Sequence, residues 1–377
     1  MVKERIRKTA YNVFTGLNHL VPKTEKVFIY GGDFLSDNSE AMLRFLADNY
    51  DIRIECIADK RIKRNDFYKN VVFKKNTIFN ALITSLSSKV ILDSSLHTIK
   101  MKPCRNQTII QMWHGSPLKH LPTDPFINNG MFYSFLFYAS EMFRDEMKKG
   151  LSADDKQMYL AGGPRNDYLF KGTAMPEMYK SEGKAVMWLP TFRRGIGLKE
   201  TSNDIPIITG DNIEKLERFL KSKNTTLFIK PHPLQLDGLK NVLSKDDLSA
   251  IRLISDVDMW SNGITLYEML GNMDALITDY SSVYFDYLLL DRPIGFTVED
   301  IIEYNTNRGF ALNPPEDYMP GAKLKTLEDI FEFLNNLNEE VDSFKEERKM
   351  LNTKANVFID DKNCQRCAEL VMKRLSK

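Results

Sequence analysis

Cysteine is scarce in this chain of 377 residues, and neither sign of charge dominates. The four cysteines, Cys56, Cys104, Cys364 and Cys367, include one CxxC, but no second such pair and no nearby histidine completes a zinc site. Cys364 and Cys367 read as reduced thiols on an amphipathic terminal helix. Few cysteines and no signal-peptide pattern fit a cytoplasmic protein. Lys and Arg number 52 against 51 Asp and Glu, a net charge of +1, so nothing overall points to nucleic acid as a partner. No apolar run approaches the roughly 20 residues of a membrane-spanning helix. Also missing are GxxxxGK(S/T), GxGxxG after a strand, HExxH and GxSxG, which disfavours a kinase using ATP in the usual ways. There is no internal repeat and no low-complexity segment.

What the chain does have is alternation. Hydrophobic residues make up 43% and charged residues 27%, a globular balance, and the length suits two domains of about 150–200 residues. "KVFIYGG" (26–32), "IRIECIA", "VVF", "KVILDSS", "QTIIQMWHG", "SFLFYAS" and "QMYLAGG" read as strands, with helices near "SEAMLRFLADNY" and "TIFNALITSL". Residues 163–184, broken by Gly, Pro and charges, read as a connection. A second series follows: "AVMWLP", a helix at about 211–223, "TLFIK", "IRLI", a helix around "ITLYEML", "DALIT", a helix from "SVYFDYLLL" and "PIGF". Three helical segments follow from about residue 326. Such alternation is the sequence form of βαβ units and a largely parallel sheet. The expected fold is α/β, two Rossmann-like doubly wound domains facing a central cleft, over residues 1–163 and 164–377.

At the N-terminus, Ile6, Ala10, Val13, Phe14, Leu17, Leu20 and Val21 fall on one helical face, and Lys3, Arg5, Arg7 and Lys8 crowd the first turns. A basic amphipathic helix can lie in an anionic membrane surface. It can equally pack on the protein's own body.

Ligands of doubly wound sheets gather at the carboxyl ends of strands, and there the second half is consistent. "AVMWLP" runs into Thr191, Arg193 and Arg194, "TLFIK" into Lys230 and His232, and "DALIT" into Asp279, Ser281 and Ser282. In "ITDYSSVYFDYLLL" a strand breaks at Asp279 and a helix begins near Ser281, where unpaired amides and two hydroxyls can cradle a phosphate. Taken alone, the same residues read as ordinary N-capping. In "FIKPHP", prolines on both sides of His232 stiffen the backbone, so the His either faces a phosphate or sits in an exposed turn. In "IIQMWHGSPLKH", His114 ends a strand, and Gly115 leaves room for close approach. His19 and His97 lack such a setting, and His120 reads as a surface neighbour. A strand-end His in each half, with an anion-binding helix start, suits transfer of a phosphate-containing group, one His as base and the other countering charge.

The segments "QMWHGSPLK", "GGPRNDYL", "LPTFRR", "KPHP", "ITDYSSVYFDYLLLDRPIGF" and "RGFALNPPEDYMPG" resemble, in this order, the CDP-glycerol glycerophosphotransferases of teichoic acid synthesis. The resemblance covers roughly residues 107–321. It implies a GT-B fold with the nucleotide donor held mainly by the C-terminal domain. It also implies a reaction in which an acceptor hydroxyl attacks the glycerol-bearing phosphorus of CDP-glycerol and CMP leaves. On matching positions, His114 would be the general base, His232, Ser281 and Ser282 would hold the diphosphate, and Lys230 would be among the donor-binding residues. Thr191, Arg193, Asp279 and Arg308 would serve the donor, while Gly115, Ser116, Lys119 and Arg165 would line the cleft.

Two positions depart from the family pattern: Arg194 stands where an acidic residue is frequent, and Ser116 replaces a frequent Thr while keeping the hydroxyl. The implied partners are CDP-glycerol or CDP-ribitol as donor, a lipid-linked saccharide or poly(alditol phosphate) as acceptor, and an anionic membrane surface on the cytoplasmic side, with no nucleic acid. No cofactor and no metal are expected. Three alternatives stay open: a capsular polymer as product, a sugar-nucleotide glycosyltransferase of the same fold, and a non-catalytic scaffold. The presence of both His114 and His232 speaks against the scaffold.

Overall fold

The computed structural model describes residues 2–35, 37–95, 99–121, 130–191, 207–232, 236, 239 and 248–377. The chain forms two compact units. The first contains residues 1–116, 121–171 and 355–377, and the second residues 117–120 and 172–354.

Unit 1 is built on seven parallel strands: β1 (Thr24–Phe34), β2 (Arg53–Lys60), β3 (Val71–Lys74), β4 (Ser88–Asp93), β5 (Thr108–Gln111), β6 (Phe135–Tyr138) and β7 (Met158–Leu160). Their order is β3-β2-β1-β4-β5-β6-β7. Val27, Phe28 and Ile29 of β1 and Val90, Ile91 and Leu92 of β4 are buried, which is why these strands appear in the sequence as unbroken apolar runs rather than alternating ones. Parallel pairing requires a crossover, supplied between β1 and β2 by α2 (Asp37–Asn49) and between β3 and β4 by α3 (Ile78–Ser87). An ion cluster ties three neighbouring strands: buried Glu55 of β2 meets Lys26 of β1 at 3.0 Å and Lys74 of β3 at 2.6 Å. Burial would raise the Glu55 pKa, but the two ammonium groups hold it at about 2.

Unit 2 carries six parallel strands: β8 (Lys184–Leu189), β9 (Thr225–Ile229), β10 (Ile251–Leu253), β11 (Ala275–Thr278), β12 (Ile294–Thr297) and β13 (Ala322–Leu324), ordered β10-β9-β8-β11-β12-β13. Its core sets Val186, Trp188, Leu227, Ile229 and Ile277 against the helices Ile213–Ser222 and Leu327–Asn338.

The boundary differs from the 163/164 division expected from sequence. Residues Pro164–Phe170 form a 3₁₀ helix in unit 1, with Pro164 through Leu169 buried. The last helix, Asn363–Leu375, also belongs to unit 1. The cause is a contact across most of the chain: the Asp167 carboxylate accepts from the backbone N–H of Asn363 (2.9 Å) and of Cys364 (2.8 Å) and from the Asn363 side chain (2.9 Å). It thus satisfies the amides that a helix start leaves open. Cys364 and Cys367 are buried free thiols on this helix, pushed up in pKa by desolvation.

Candidate functional site

In each sheet the strand order reverses direction at one place, between β1 and β4 in unit 1 and between β8 and β11 in unit 2. Such switch points leave a crevice outside the carboxyl ends of the flanking strands, because the crossovers diverge there.

In unit 1 this end collects His114, Ser94 and Asp93, and the start of α2. β5 stops at Gln111, whose side-chain oxygen accepts the Trp113 N–H at 2.8 Å, while the Met112 N–H reaches the Asp93 carbonyl at 2.8 Å. Trp113 is buried with φ +56° and Gly115 has φ +136°. The second conformation suits only glycine. The first strains a bulky residue by about 1–3 kcal/mol and persists only where neighbours over-determine it. The turn puts the His114 ring 4.0 Å from the Trp113 ring, and its Nδ1 is 3.0 Å from the Ser94 carbonyl oxygen. A carbonyl can only accept, so in the neutral ring Nδ1 carries the hydrogen and Nε2 presents its lone pair.

The His114 side chain reaches solvent yet stands in dense protein surroundings. Desolvation lowers its pKa, Arg165 pushes the same way, and the Ser94 carbonyl together with Asp37 and Asp93 opposes them. Arg165, buried in the 3₁₀ helix, points a guanidinium nitrogen at the Asp37 carboxylate 3.6 Å away. Gly115, Ser116 and Arg165 lie in unit 1 with His114, and Ser116 is buried. Lys119 is in unit 2, where it bridges to Phe310 and places its ammonium over the Tyr304 ring at 5.7 Å.

In unit 2 the switch point holds Thr191 and Asp279. Asp279 is fully buried, and its carboxylate accepts the Thr191 N–H at 2.8 Å and the Thr191 hydroxyl. Tyr280 is buried beside it, donating to Asp300 at 2.8 Å. Ser281 and Ser282 are half-buried and precede the helix Val283–Tyr287. Neither is a tight cap: Ser282 makes no side-chain capping bond, and Ser281 accepts the Val283 N–H at 3.5 Å. The ordinary capping reading is therefore weak, but the helix is also short, continuing as a 3₁₀ turn over Leu288–Leu290. Local amides and hydroxyls, rather than a long dipole, characterise this end.

Lys230 follows β9 and pairs with Asp256 at 3.0 Å. His232 is exposed after buried Pro231, and its pKa is lowered by desolvation and by Lys230, against the pull of Asp256. Arg308 is half-buried at the end of the helix Ile301–Asn307. Arg193, Arg194 and His97 lie outside the described residues. Sequence reasoning missed Asn38, buried at the start of α2, Ser94, whose carbonyl meets the His114 ring, and Asp256, the partner of Lys230. The polar run "SDNSE" after β1 was the available signal for Asn38.

Residues 13–373 match the family described as CDP-Glycerol:Poly(glycerophosphate) glycerophosphotransferase. A teichoic acid poly(glycerol phosphate) polymerase of Bacillus spizizenii is 27% identical over 86% of this chain and 87% of its own length. A teichoic acid ribitol-phosphate primase of the same organism is 25% identical over 83% of this chain and 82% of its own. The solved wall teichoic acid polymerase TagF superposes with a TM-score of 0.74 at 22% identity, covering 100% of this chain and 95% of that one. The expected class, two Rossmann-like domains of the GT-B kind, is the one found.

Proposed function

The chain belongs to the CDP-glycerol:poly(glycerophosphate) glycerophosphotransferase family of teichoic acid enzymes, and on that premise we propose that it transfers glycerol phosphate from CDP-glycerol to a hydroxyl of a membrane-linked teichoic acid or related envelope-polymer acceptor. The observation that carries this reading is the His114 ring, locked through Nδ1 on the Ser94 carbonyl at a sheet switch point. Its Nε2 takes the acceptor proton as the hydroxyl oxygen bonds to the glycerol-bearing phosphorus. The phosphorus–oxygen bond to CMP breaks, and CMP departs with the bridging oxygen. His232, Lys230, Ser281 and Ser282 stabilise the diphosphate charge in this scheme. Asp279, buried, acts through Thr191 rather than on the donor itself. Arg308 is assigned to the donor, while Gly115, Ser116, Lys119 and Arg165 keep the substrate-lining role that the family resemblance implies.

CDP-ribitol is the second reading, favoured by the likeness to a ribitol-phosphate primase. Purified protein given a lipid-linked saccharide or glycerol-phosphate primer, in buffer containing EDTA, should release CMP from CDP-glycerol. Release from CDP-ribitol alone would move the assignment to ribitol. Loss of activity on chelation would overturn the metal-free scheme, and no release from either donor with metal restored would sink the enzymatic reading.

Attachment to the cytoplasmic membrane face is part of the proposal. Among the described residues no helix is long and apolar enough to cross a membrane. The helix α1 (Val2–Leu20) nevertheless leaves Ile6 63%, Val13 52% and Leu20 79% exposed, alongside exposed Arg5, Arg7 and Lys8. Apolar insertion and attraction to anionic lipid act together on such a face. Deleting the helix would be a poor test, because buried Asn18 donates to Gln107 at 2.7 Å and to the Lys102 carbonyl at 2.9 Å. Replacing Ile6, Val13 and Leu20 by Ser should instead weaken sedimentation with phosphatidylglycerol vesicles by about tenfold or more. Unchanged sedimentation would exclude α1 as the attachment face.

A further inference from the structure

We infer that Asn38 is a positioning residue for His114, a clamp that holds the Trp113 turn in its left-handed conformation and so keeps the imidazole on the Ser94 carbonyl. The inference rests on the reading of His114 as the base.

Asn38 is the second residue of α2 and is buried. Its side-chain nitrogen lies 2.8 Å from the Trp113 carbonyl oxygen and 3.4 Å from that of Met112, while its Oδ1 accepts the Arg165 N–H at 3.0 Å. Two carbonyl oxygens on one side and an N–H on the other leave a single orientation for the amide. One side chain therefore grips both peptides that lead into His114, and the same side chain holds the backbone of Arg165. The neighbouring Ser39 hydroxyl is 2.9 Å from that of Ser94, the residue whose carbonyl meets the imidazole. The start of α2 thus contacts Ser94 and the peptide that leads into His114. Gln111 holds the Trp113 N–H, so Trp113 is fixed at its amide by one residue and at its carbonyl by another. With the Asn38 grip removed, the Trp113 carbonyl loses its clamp while the Gln111 contact to its amide remains, in a backbone conformation that a tryptophan rarely adopts.

The consequence falls on catalysis rather than on donor binding, because the clamp touches no group assigned to the donor. A displacement of about 1 Å at a reacting group can lower a rate by about a hundredfold. Asn38→Asp preserves size and the acceptor toward Arg165 but sets a carboxylate against two carbonyl oxygens. Asn38→Ala removes all three contacts.

The experiment combines kinetics with histidine-selective ¹⁵N NMR of the full chain. Wild type should show His114 as the Nδ1–H tautomer. Both variants should lose about 10- to 100-fold in kcat, with the CDP-glycerol KM changed less than about threefold, and the His114 signal should move toward a mixture of tautomers. A wild-type His114 in the Nε2–H form would overturn the inference without recourse to any variant. So would variants that fold with unchanged kcat and tautomer while His114→Ala is inactive. If His114→Ala itself keeps normal turnover, the base assignment fails, a result distinguishable from failure of the clamp alone.

Discussion

His114→Ala should lower turnover with CDP-glycerol by about two to four orders of magnitude, the range that removal of a general base commonly gives. The effect belongs in kcat, since the ring has no assigned part in holding the donor, and the single-turnover rate should fall with it. The pH dependence follows from the environment. Desolvation lowers the His114 pKa from its ordinary 6.5, and a base acts in its neutral form. Wild-type activity should therefore persist as pH falls through neutrality and decline only below pH 6.5, on an acid limb that the variant lacks. The same shift bears on stability. The folded protein binds this proton less readily than the unfolded chain, so the group withdraws stability as pH drops below its ordinary value. An acid limb centred above 6.5, or a variant with near-normal turnover, would remove His114 from the proposed role.

The second large effect is expected at His232. Its pKa is lowered, first by desolvation and then by Lys230, so at neutral pH it offers a neutral N–H rather than a full charge. Beside it, the Lys230–Asp256 pair at 3.0 Å fixes an ammonium at the end of β9. Donors pre-set toward developing phosphate charge are worth about 10²–10³ in rate when one is removed. His232→Ala should therefore reduce kcat by that factor, and His232→Gln, which keeps a hydrogen-bond donor, should recover part of it. Turnover of His232→Ala within about twofold of wild type would show that the diphosphate is held elsewhere.

The strands were legible because parallel strands buried on both faces appear as continuous apolar runs; "KVFIYGG", "AVMWLP" and "DALIT" all fall on observed strands. β13 was not, since Ala322–Leu324 is only three residues with two half-buried. Its pairing to β12 at the sheet edge, rather than its own pattern, makes it a strand. The passage between the units does fall within residues 163–184, after Lys171, but its first part is not a loop: Gly, Pro and charges signal one locally, yet here the charged Asp167 is buried by capping a helix that begins 196 residues later.

Local chemistry along the chain was enough to determine where the sheets lie and that His114, Lys230, His232, Thr191 and Asp279 stand at strand ends, because burial pattern and chain-breaking residues act within a few positions. Tertiary structure alone decided which helix closes unit 1, that Asp279 serves Thr191, and which nitrogen of His114 carries the hydrogen. Each of these depends on a hydrogen bond between residues 20 or more positions apart. No periodicity encodes such a bond; it exists only once the strand order has brought the two residues to the same end of the sheet.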